Sequence, residues 1–339
     1  MEIKQNISLK QHNTFGLDVY SGLYTEINHY NDINDILFND VFRNSERLII
    51  GGGSNILFTR NFTGIVVKMN IKGINIIEDN DRYVVIKANA GEEWDKFVEF
   101  AVKNNFSGLE NLSYIPGNVG SAPIQNIGAF GSEVKDTIHS VEIIDINTGK
   151  QSVLSNKECM FGYRDSIFKR ELKDKFIITS VYFTLSKIFK PNICYSALKN
   201  ELAQSEIDNP EINLIRDAVI RVRKSKLPDP NELGNAGSFF KNPMVSREKY
   251  EILKKEYPDI KGFDNASSNE VKLAAAWLIE TCGWKGYRIG DAGVHKKQSL
   301  VLVNYNNARG IDILNLAKEI QNSVYQKFNV EIEMEVNVI

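Results

Sequence analysis

Apolar and polar positions alternate along this chain in two periods. Arg47–Ile50 is a short apolar, β-branched run that stops abruptly at Gly51-Gly52-Gly53-Ser54-Asn55, which predicts a strand feeding a tight turn. Further strands are predicted at Gly64–Met69, at Ile74–Glu78 and Arg82–Ala88 around the polar turn Asp79-Asn80-Asp81, at Ile138–Ile146 and Lys150–Leu154 around Asn147-Thr148-Gly149, and at Lys175–Leu185 and Ser299–Asn304. Helical spacing is carried by Trp94, Phe97, Val98 and Ala101 within Glu92–Asn104, and by Ile212, Ile215, Val219 and Val222 within Glu211–Arg223. It recurs in Leu314, Ala317, Ile320, Val324 and Phe328 within Ile311–Phe328. Ser246–Tyr257 and Asn269–Cys282 are also expected to be helical. The last ten residues alternate strictly, with Val330, Ile332, Met334, Val336 and Val338 facing one way and Glu331, Glu333, Glu335 and Asn337 the other, as in a half-buried strand. Strands and helices mix without a repeating βαβ rhythm, so an α+β fold is expected in preference to a doubly wound sheet. The proline-bearing Lys226-Leu227-Pro228-Asp229-Pro230 breaks a helix and is the expected domain boundary.

A chain of 339 residues exceeds one ordinary core and implies two or three domains. The formal charge of −2 argues against non-specific nucleic-acid binding. Cys159, Cys194 and Cys282 are scattered and form no CxxC pair, and His12, His29, His139 and His295 have no ligand spacing, so neither a disulfide framework nor a metal site is expected. A polar N-terminus and the lack of any long apolar run point to a cytoplasmic protein that does not engage membranes.

Six segments can carry chemistry. Gly51 to Asn55 brings backbone amides within reach of an anion, although a plain tight turn has the same composition. Pro116 to Gly131 crowds Gly117, Asn118, Gly120, Ser121, Gln125 and Gly128 into one loop that is costly to order; wrapping a large polar ligand is one way to offset that cost, and an ordinary irregular connection between elements is the alternative. Two such loops suit a ligand with two phosphate-bearing parts, such as a dinucleotide. Arg164, among Phe161, Tyr163 and Asp165, is either a carboxylate clamp or one half of a surface pair with Asp165. Arg221, Arg223, Lys224 and Lys226 fit a phosphate, or simply complement a helix C-terminus. Ser238, between a glycine turn and Phe239-Phe240, lacks a nucleophile-elbow motif; it can donate a proton only to a strongly basic acceptor. Three glutamates on one face of the last strand require solvent or cations, and a wet face accounts for two of them.

Taken together, GGGSNILF, IPGNVGSAPIQNIGAFG, FGYRDSIFK, KLPDPNELGNAGSFFKNP, GDAGVHKKQSLVLVN and the ending EMEV resemble, in order and over nearly the whole chain, the UDP-N-acetylenolpyruvoylglucosamine reductases. The resemblance implies an FAD-binding fold of the vanillyl-alcohol-oxidase (PCMH) type in two lobes, residues 1–72 joined by the strand 330–339 and residues 73–225, with a C-terminal α/β substrate domain at 226–329. It implies non-covalent FAD held by Gly51 to Asn55, the Pro116 to Gly131 loop and Arg223, with NADPH as co-substrate and a UDP-sugar as substrate. Hydride would pass from flavin to the enolpyruvyl terminal carbon. Arg164 and Glu335 would stabilise the resulting charge, and Ser238 would protonate the neighbouring carbon. Glu335 should then be protonated or hydrogen-bonded in a buried site. Lys226, Asn242 and Gln298 match substrate or nucleotide contacts, and Tyr195 resembles the tyrosine of a substrate-closing loop found in one family type. Asn337 departs from members that carry arginine near the flavin. A monomer is expected. An oxidase of the same superfamily and a non-catalytic flavin-binding module are the competing readings; neither needs a proton donor at Ser238.

Overall fold

The computed structural model describes residues 1–203, 210–264 and 269–339, which fall into two compact units. The first comprises Met1–Ile7, Ser21–Gly53 and Phe62–Ser225, and the second Ser8–Tyr20, Ser54–Asn61 and Lys226–Ile339.

In the first unit, strands Lys4–Ser8, Tyr20–Ile27, Phe62–Met69 and Arg47–Ile50 lie side by side in that order. Phe62–Met69 runs parallel to both of its neighbours, with Val66 opposite Tyr24 and Leu48. Helix Tyr30–Leu37, begun by a reciprocal His29–Asp32 cap, buries Ile33, Ile36 and Leu37, which share one face at spacings of three and four. A second sheet, entirely antiparallel, orders Gln151–Ser155, Ile138–Asp145, Phe176–Ser186, Tyr83–Asn89 and Ile74–Asp79. Helix Trp94–Lys103 buries Trp94, Phe97, Val98, Ala101 and Val102, and the Phe97 ring sits 4.7 Å from that of Phe183. The buried Trp94 indole donates to the Leu112 carbonyl (2.8 Å), which satisfies its only polar atom. One hydrophobic cluster joins both sheets, from Ile27, Ile65 and Val67 to Val84, Ile86 and Phe183. Residues 21–53 and 62–225 belong to the first unit and 330–339 to the second.

In the second unit, Gly234–Ser238, Val301–Asn304, Ala292–Val294 and Arg288–Ile289 form an antiparallel sheet. The long helix Gly310–Phe328 buries Ile313, Leu316, Ala317, Ile320, Val324 and Phe328. Its stripe begins at Ile313 rather than at the expected Leu314, which is only half-buried. Two other expectations are corrected. Asn269–Cys282 is not one helix: Glu270–Leu273 is a strand pairing with Met244–Ser246 and Gly262–Asp264, and only Ala275–Thr281 is helical. Val271 and Leu273 are fully buried while Glu270 is exposed, a period-two signature too short to separate from a helical turn. The terminal segment is extended, but regular strand is confined to Asn337–Val338, because it changes partners part-way, from Phe239–Lys241 to Asn55–Leu57. Among the described residues, no helix is long and apolar enough to cross a membrane.

A buried ionic group ties the first unit together. Glu142 is 3 % exposed and accepts from Lys87 (3.0 Å), Thr179 (2.8 Å), Tyr30 (3.1 Å) and Tyr182 (3.1 Å). Burial alone would raise its pKa, but these donors and the Lys87 charge outweigh it, and the carboxyl lies below its ordinary value. A carboxylate with a depressed folded pKa contributes stability above its unfolded value, near 4.5, and loses that contribution as pH falls through the folded value. Glu142→Gln is expected to cost about 3 kcal/mol at neutral pH. Urea titrations across pH should show the variant losing less stability than wild type on acidification.

Candidate active site

The first unit places both glycine loops together. Where strand Arg47–Ile50 ends, Gly51 and Gly52 lie against Asn118: a methyl group on Gly52 would stand 2.9 Å from the Asn118 Oδ1 and 3.1 Å from the Gly117 Cα. Backbone rather than a flexible side-chain end blocks part of that space, so the approach requires glycine. Asn118 is fixed in turn. Its Nδ2 donates to the Gly91 carbonyl (2.6 Å), its N–H to the Ser121 hydroxyl (3.3 Å), and that hydroxyl donates back to the Asn118 carbonyl (2.7 Å). The N–H groups of Val119 and Gly120 donate to the carbonyls of Glu92 and Ala90, and the Gly117 carbonyl accepts from Trp94 N–H, pinning the loop beside the start of helix Trp94–Lys103. Pro116 leads into Gly117, whose φ is +122°. Gln125 is half-buried further along the loop. The loop closes in a two-strand hairpin, Gly128–Ala129 with Ser132–Glu133, whose turn residues Phe130 and Gly131 both take positive φ (48° and 81°).

Arg164 joins this loop. It sits in a turn bridged between Gly162 and Asp165, at φ +53°, with its guanidinium 5.5 Å from the Tyr163 ring centroid. Nη2 donates to the Gly128 carbonyl (2.6 Å) and Nη1 to that of Asn126 (3.4 Å). Asp165 pairs with Arg170, not with Arg164, so the surface-pair alternative falls. Asn126, which sequence reasoning did not single out as a positioning group, is fully buried at φ +46°; its Nδ2 donates to the Gly162 carbonyl (2.8 Å) and its Oδ1 accepts from Lys135 N–H (3.1 Å). It therefore fixes the Arg164 turn against the glycine loop.

The cationic stretch divides by helix face. Arg221 is exposed and bonds Glu201 (2.6 Å), Lys224 lies 5.2 Å from the Tyr114 ring centroid, and Lys226 is the exposed last residue of helix Ile212–Lys226. Only Arg223 turns inward among these, with Nε donating to the Tyr114 carbonyl (3.0 Å). Burial pulls its guanidinium down to about 10, the positive charge of Arg164 adds to that, and Asp95 opposes it. Asp95 is itself held by Arg216 through two hydrogen bonds (2.7 and 3.0 Å). Two guanidinium groups thus lie close enough to repel one another beside the glycine loop, an arrangement that an anionic ligand would stabilise. Tyr195 is 45 % exposed, and its ring meets that of Phe130 edge-on at 5.3 Å.

The second unit holds the other expected site residues. Strand Gly234–Ser238 has its register to Val301–Asn304 interrupted between Asn235 and Ser238, where Gly237 takes φ +68°. Ser238 is half-buried and adjoins the buried Phe239 and Phe240. On one side, Ser238 is in register with Val301 and Phe239 N–H donates to Leu300, two residues past Gln298; the Gln298 carbonyl accepts from Val301 N–H. On the other side, Glu335 N–H donates to the Phe239 carbonyl (2.7 Å) and Lys241 N–H to Glu333 (2.9 Å). Ser238, Gln298 and Glu335 therefore share one backbone neighbourhood. Of the three glutamates, Glu331 and Glu333 are exposed and Glu335 half-buried. Asn55, expected at the cofactor, also uses its Nδ2 on the Glu335 carbonyl (3.2 Å), while its own carbonyl accepts from both the N–H and Nδ2 of Asn337 (3.1 Å each). Ser54, its neighbour, is half-buried. Asn242 accepts from Ala275 N–H (2.9 Å), at the start of helix Ala275–Thr281. The structure thus assembles Arg164, Arg223, Gly51–Gly53 and the Pro116–Gly131 loop in one unit, and Ser238, Glu335, Gln298 and Asn55 in the other.

Two family models match: the FAD binding domain over residues 30–155, which includes both glycine loops, and the C-terminal domain of UDP-N-acetylenolpyruvoylglucosamine reductase over 229–339. Curated proteins named UDP-N-acetylenolpyruvoylglucosamine reductase are similar from end to end. The one from Flavobacterium johnsoniae is 48 % identical, covering 100 % of both chains, and the one from Neisseria meningitidis 45 %, covering 99 % of this chain and 97 % of its own. The chain belongs to the UDP-N-acetylenolpyruvoylglucosamine reductase family. A crystal structure of this reductase (MurB) from Thermus caldophilus matches with a TM-score of 0.68 at 23 % identity, over 100 % of this chain and 99 % of that one, a likeness of fold. The α+β, FAD-binding class expected from the sequence is therefore the observed one. The two glycine loops packed against each other, with Arg164 and Arg223 hydrogen-bonded to carbonyls at either end of the second, fit a flavin dinucleotide, whose pyrophosphate needs close backbone approach and positive charge. Gly52→Ala must push Asn118 and Gly117 away, and is expected to lower the flavin retained through purification at least severalfold, measured from the visible spectrum against protein concentration.

Proposed function

We propose that this chain reduces the enolpyruvyl group of UDP-N-acetylglucosamine enolpyruvate to UDP-N-acetylmuramate, and that Arg164, Ser238 and Glu335 carry the chemistry. The observation behind this reading is the backbone pairing that sets Glu335 beside the Ser238 strand, inside the segment matching the reductase's C-terminal domain. Bound FAD supplies hydride transfer from NADPH to the substrate.

When the terminal carbon of the enolpyruvyl group gains hydride, its double-bond electrons move to the adjacent carbon and spread into the carboxylate. That enolate is a strong base, so even a weakly acidic hydroxyl can protonate it: Ser238 donates its proton to the carbon and regains one from solvent. The two residues that follow Ser238, Phe239 and Phe240, are both buried, which supports a drier setting for such a donor. Arg164 presents a planar fork suited to the substrate carboxylate, where negative charge grows as the enolate forms. Its position is set before substrate arrives by the carbonyls of Gly128 and Asn126. Glu335, fixed through both its N–H and its carbonyl, is assigned with Arg164 to stabilising the developing enolate.

Gly51 to Asn55, the Pro116–Gly131 loop and Arg223 are assigned to the cofactor. Lys226, Asn242 and Gln298 are assigned to substrate or nicotinamide nucleotide, with Tyr195 covering the UDP moiety and residues 226–329 acting as the substrate domain. The three separated cysteines, all unpaired with one another, support a reducing cytoplasm as its place of action. A monomer is the proposed state.

Ser238→Ala is expected to keep its flavin and its reduction by NADPH while losing about 10²–10⁴-fold in turnover of the enolpyruvyl substrate. Stopped-flow traces of the two half-reactions separate these effects. Unchanged turnover would remove the proton-donor role, and rapid reoxidation by oxygen in preference to the sugar nucleotide would favour an oxidase.

A further inference from the structure

Asn111 has no place in the chemistry above, yet it is 1 % exposed and lies where two functional segments meet. It sits in the turn Glu110–Leu112, which is itself anchored: the Leu112 carbonyl accepts from the Trp94 indole (2.8 Å), Ser113 Oγ donates to the Glu110 carbonyl (2.6 Å), and the Glu110 carboxylate accepts from Gly108 N–H (2.7 Å). From this fixed base the side-chain amide of Asn111 donates to two backbone carbonyls that are 62 positions apart in sequence (192 − 130): that of Phe130 (3.0 Å), at the tip of the glycine loop, and that of Asn192 (2.8 Å), three residues before Tyr195.

The same two segments are joined twice more. Asn192 Nδ2 donates to the Gly131 carbonyl (3.2 Å) and the Ser132 hydroxyl (3.2 Å), and the Tyr195 ring packs edge-on against Phe130. Phe130 and Gly131 are both at positive φ, so the carbonyls they present are set by the hairpin turn and not by a regular ladder. An exposed segment that bears a functional tyrosine loses much conformational entropy on ordering; hydrogen bonds formed in advance from a buried amide reduce that loss when ligand binds.

We propose that Asn111 is a positioning residue, a buried latch that holds the Tyr195 segment against the flavin-binding loop and so preorganises the surface that receives the UDP moiety. This rests on the assignment of Tyr195 to substrate. Neither of its bonds reaches the reacting atoms, and it acts wholly through Asn192 and Phe130.

The test uses the flavin-loaded enzyme. In Asn111→Ala, the KM for the UDP-sugar should rise about tenfold, the strength expected of two backbone-directed hydrogen bonds, while kcat at saturating substrate and flavin content stay within about twofold. Hydrogen exchange of amides 190–196 should quicken without a matching change across the Ile138–Asp145 and Phe176–Ser186 strands. Asn192→Ala, at a half-buried position, attacks the same latch from its other end and should shift KM and exchange the same way, which keeps the proposal testable should the Asn111 variant fold poorly. Tyr195→Phe and Tyr195→Ala are run alongside. Unaltered exchange at 190–196 in both asparagine variants overturns the latch. Faster exchange with unaltered KM also overturns it, and the tyrosine variants then separate the causes: if they raise KM, preorganisation is what fails, and if they leave it unchanged, the assignment of Tyr195 has failed as well.

Discussion

Everything in the first unit depends on two stretches of backbone touching where side chains would keep them apart. Gly51 and Gly52 end a strand and rest directly on Gly117 and Asn118, and the surrounding sequence is arranged to make that contact stable. Asn118 is held by Gly91 and Ser121, the loop is hydrogen-bonded to Ala90, Glu92 and Trp94, and its far end folds back in a hairpin whose turn needs two left-handed residues. A glycine-rich loop left to itself would be disordered; here its entropy is offset by buried amides and by a core that joins both sheets. The product is a loop ordered in advance, with Arg164 and Arg223 bonded to carbonyls at its two ends, so that less entropy is lost when a dinucleotide binds.

The second unit solves a different problem by a similar route. In the proposed mechanism Ser238 gives up a proton, and because a serine is a feeble acid its hydroxyl must wait where a strongly basic carbon forms. Ser238 is set by an interrupted strand between Val301 and the terminal segment, and Glu335 is set by backbone bonds to Phe239 and Asn55. Asn55 belongs to the glycine motif by sequence and to the Glu335 neighbourhood by structure. One short motif therefore serves both units, its glycines facing Asn118 and its asparagine holding the terminal segment that carries Glu335.

Much of this was legible in the chain. Strand Arg47–Ile50 is found where its apolar run ends, and the antiparallel pair after it lies within a residue or so of its predicted limits, because alternation and turn residues agreed there. The alternation of the last ten residues held for Val330, Ile332 and Val336, which are buried between the exposed Glu331, Glu333 and Asn337, and failed at Val338, which is exposed. What remained hidden was set by tertiary contact. Strands Lys4–Ser8 and Tyr20–Ile27 lack a clean alternation and are held by their neighbours; Glu270–Leu273 is a strand because two others flank it. The buried asparagines 111 and 126 carry no local signal of their role, since an asparagine in a loop usually serves its own turn, and only the fold shows that these reach distant carbonyls. For Arg164 the sequence offered a clamp or a surface pair with Asp165, and the structure pairs Asp165 with Arg170.

The account stands most directly on one anaerobic measurement. Enzyme whose flavin has been reduced by one equivalent of NADPH is mixed in deuterated water with UDP-N-acetylglucosamine enolpyruvate, and the flavin spectrum and the product are followed together. The expected result is rapid return of the oxidised spectrum with one solvent-derived deuterium on the carbon bearing the carboxylate. Reduced flavin that persists in the presence of this sugar nucleotide, and reoxidises only when oxygen is admitted, would contradict it.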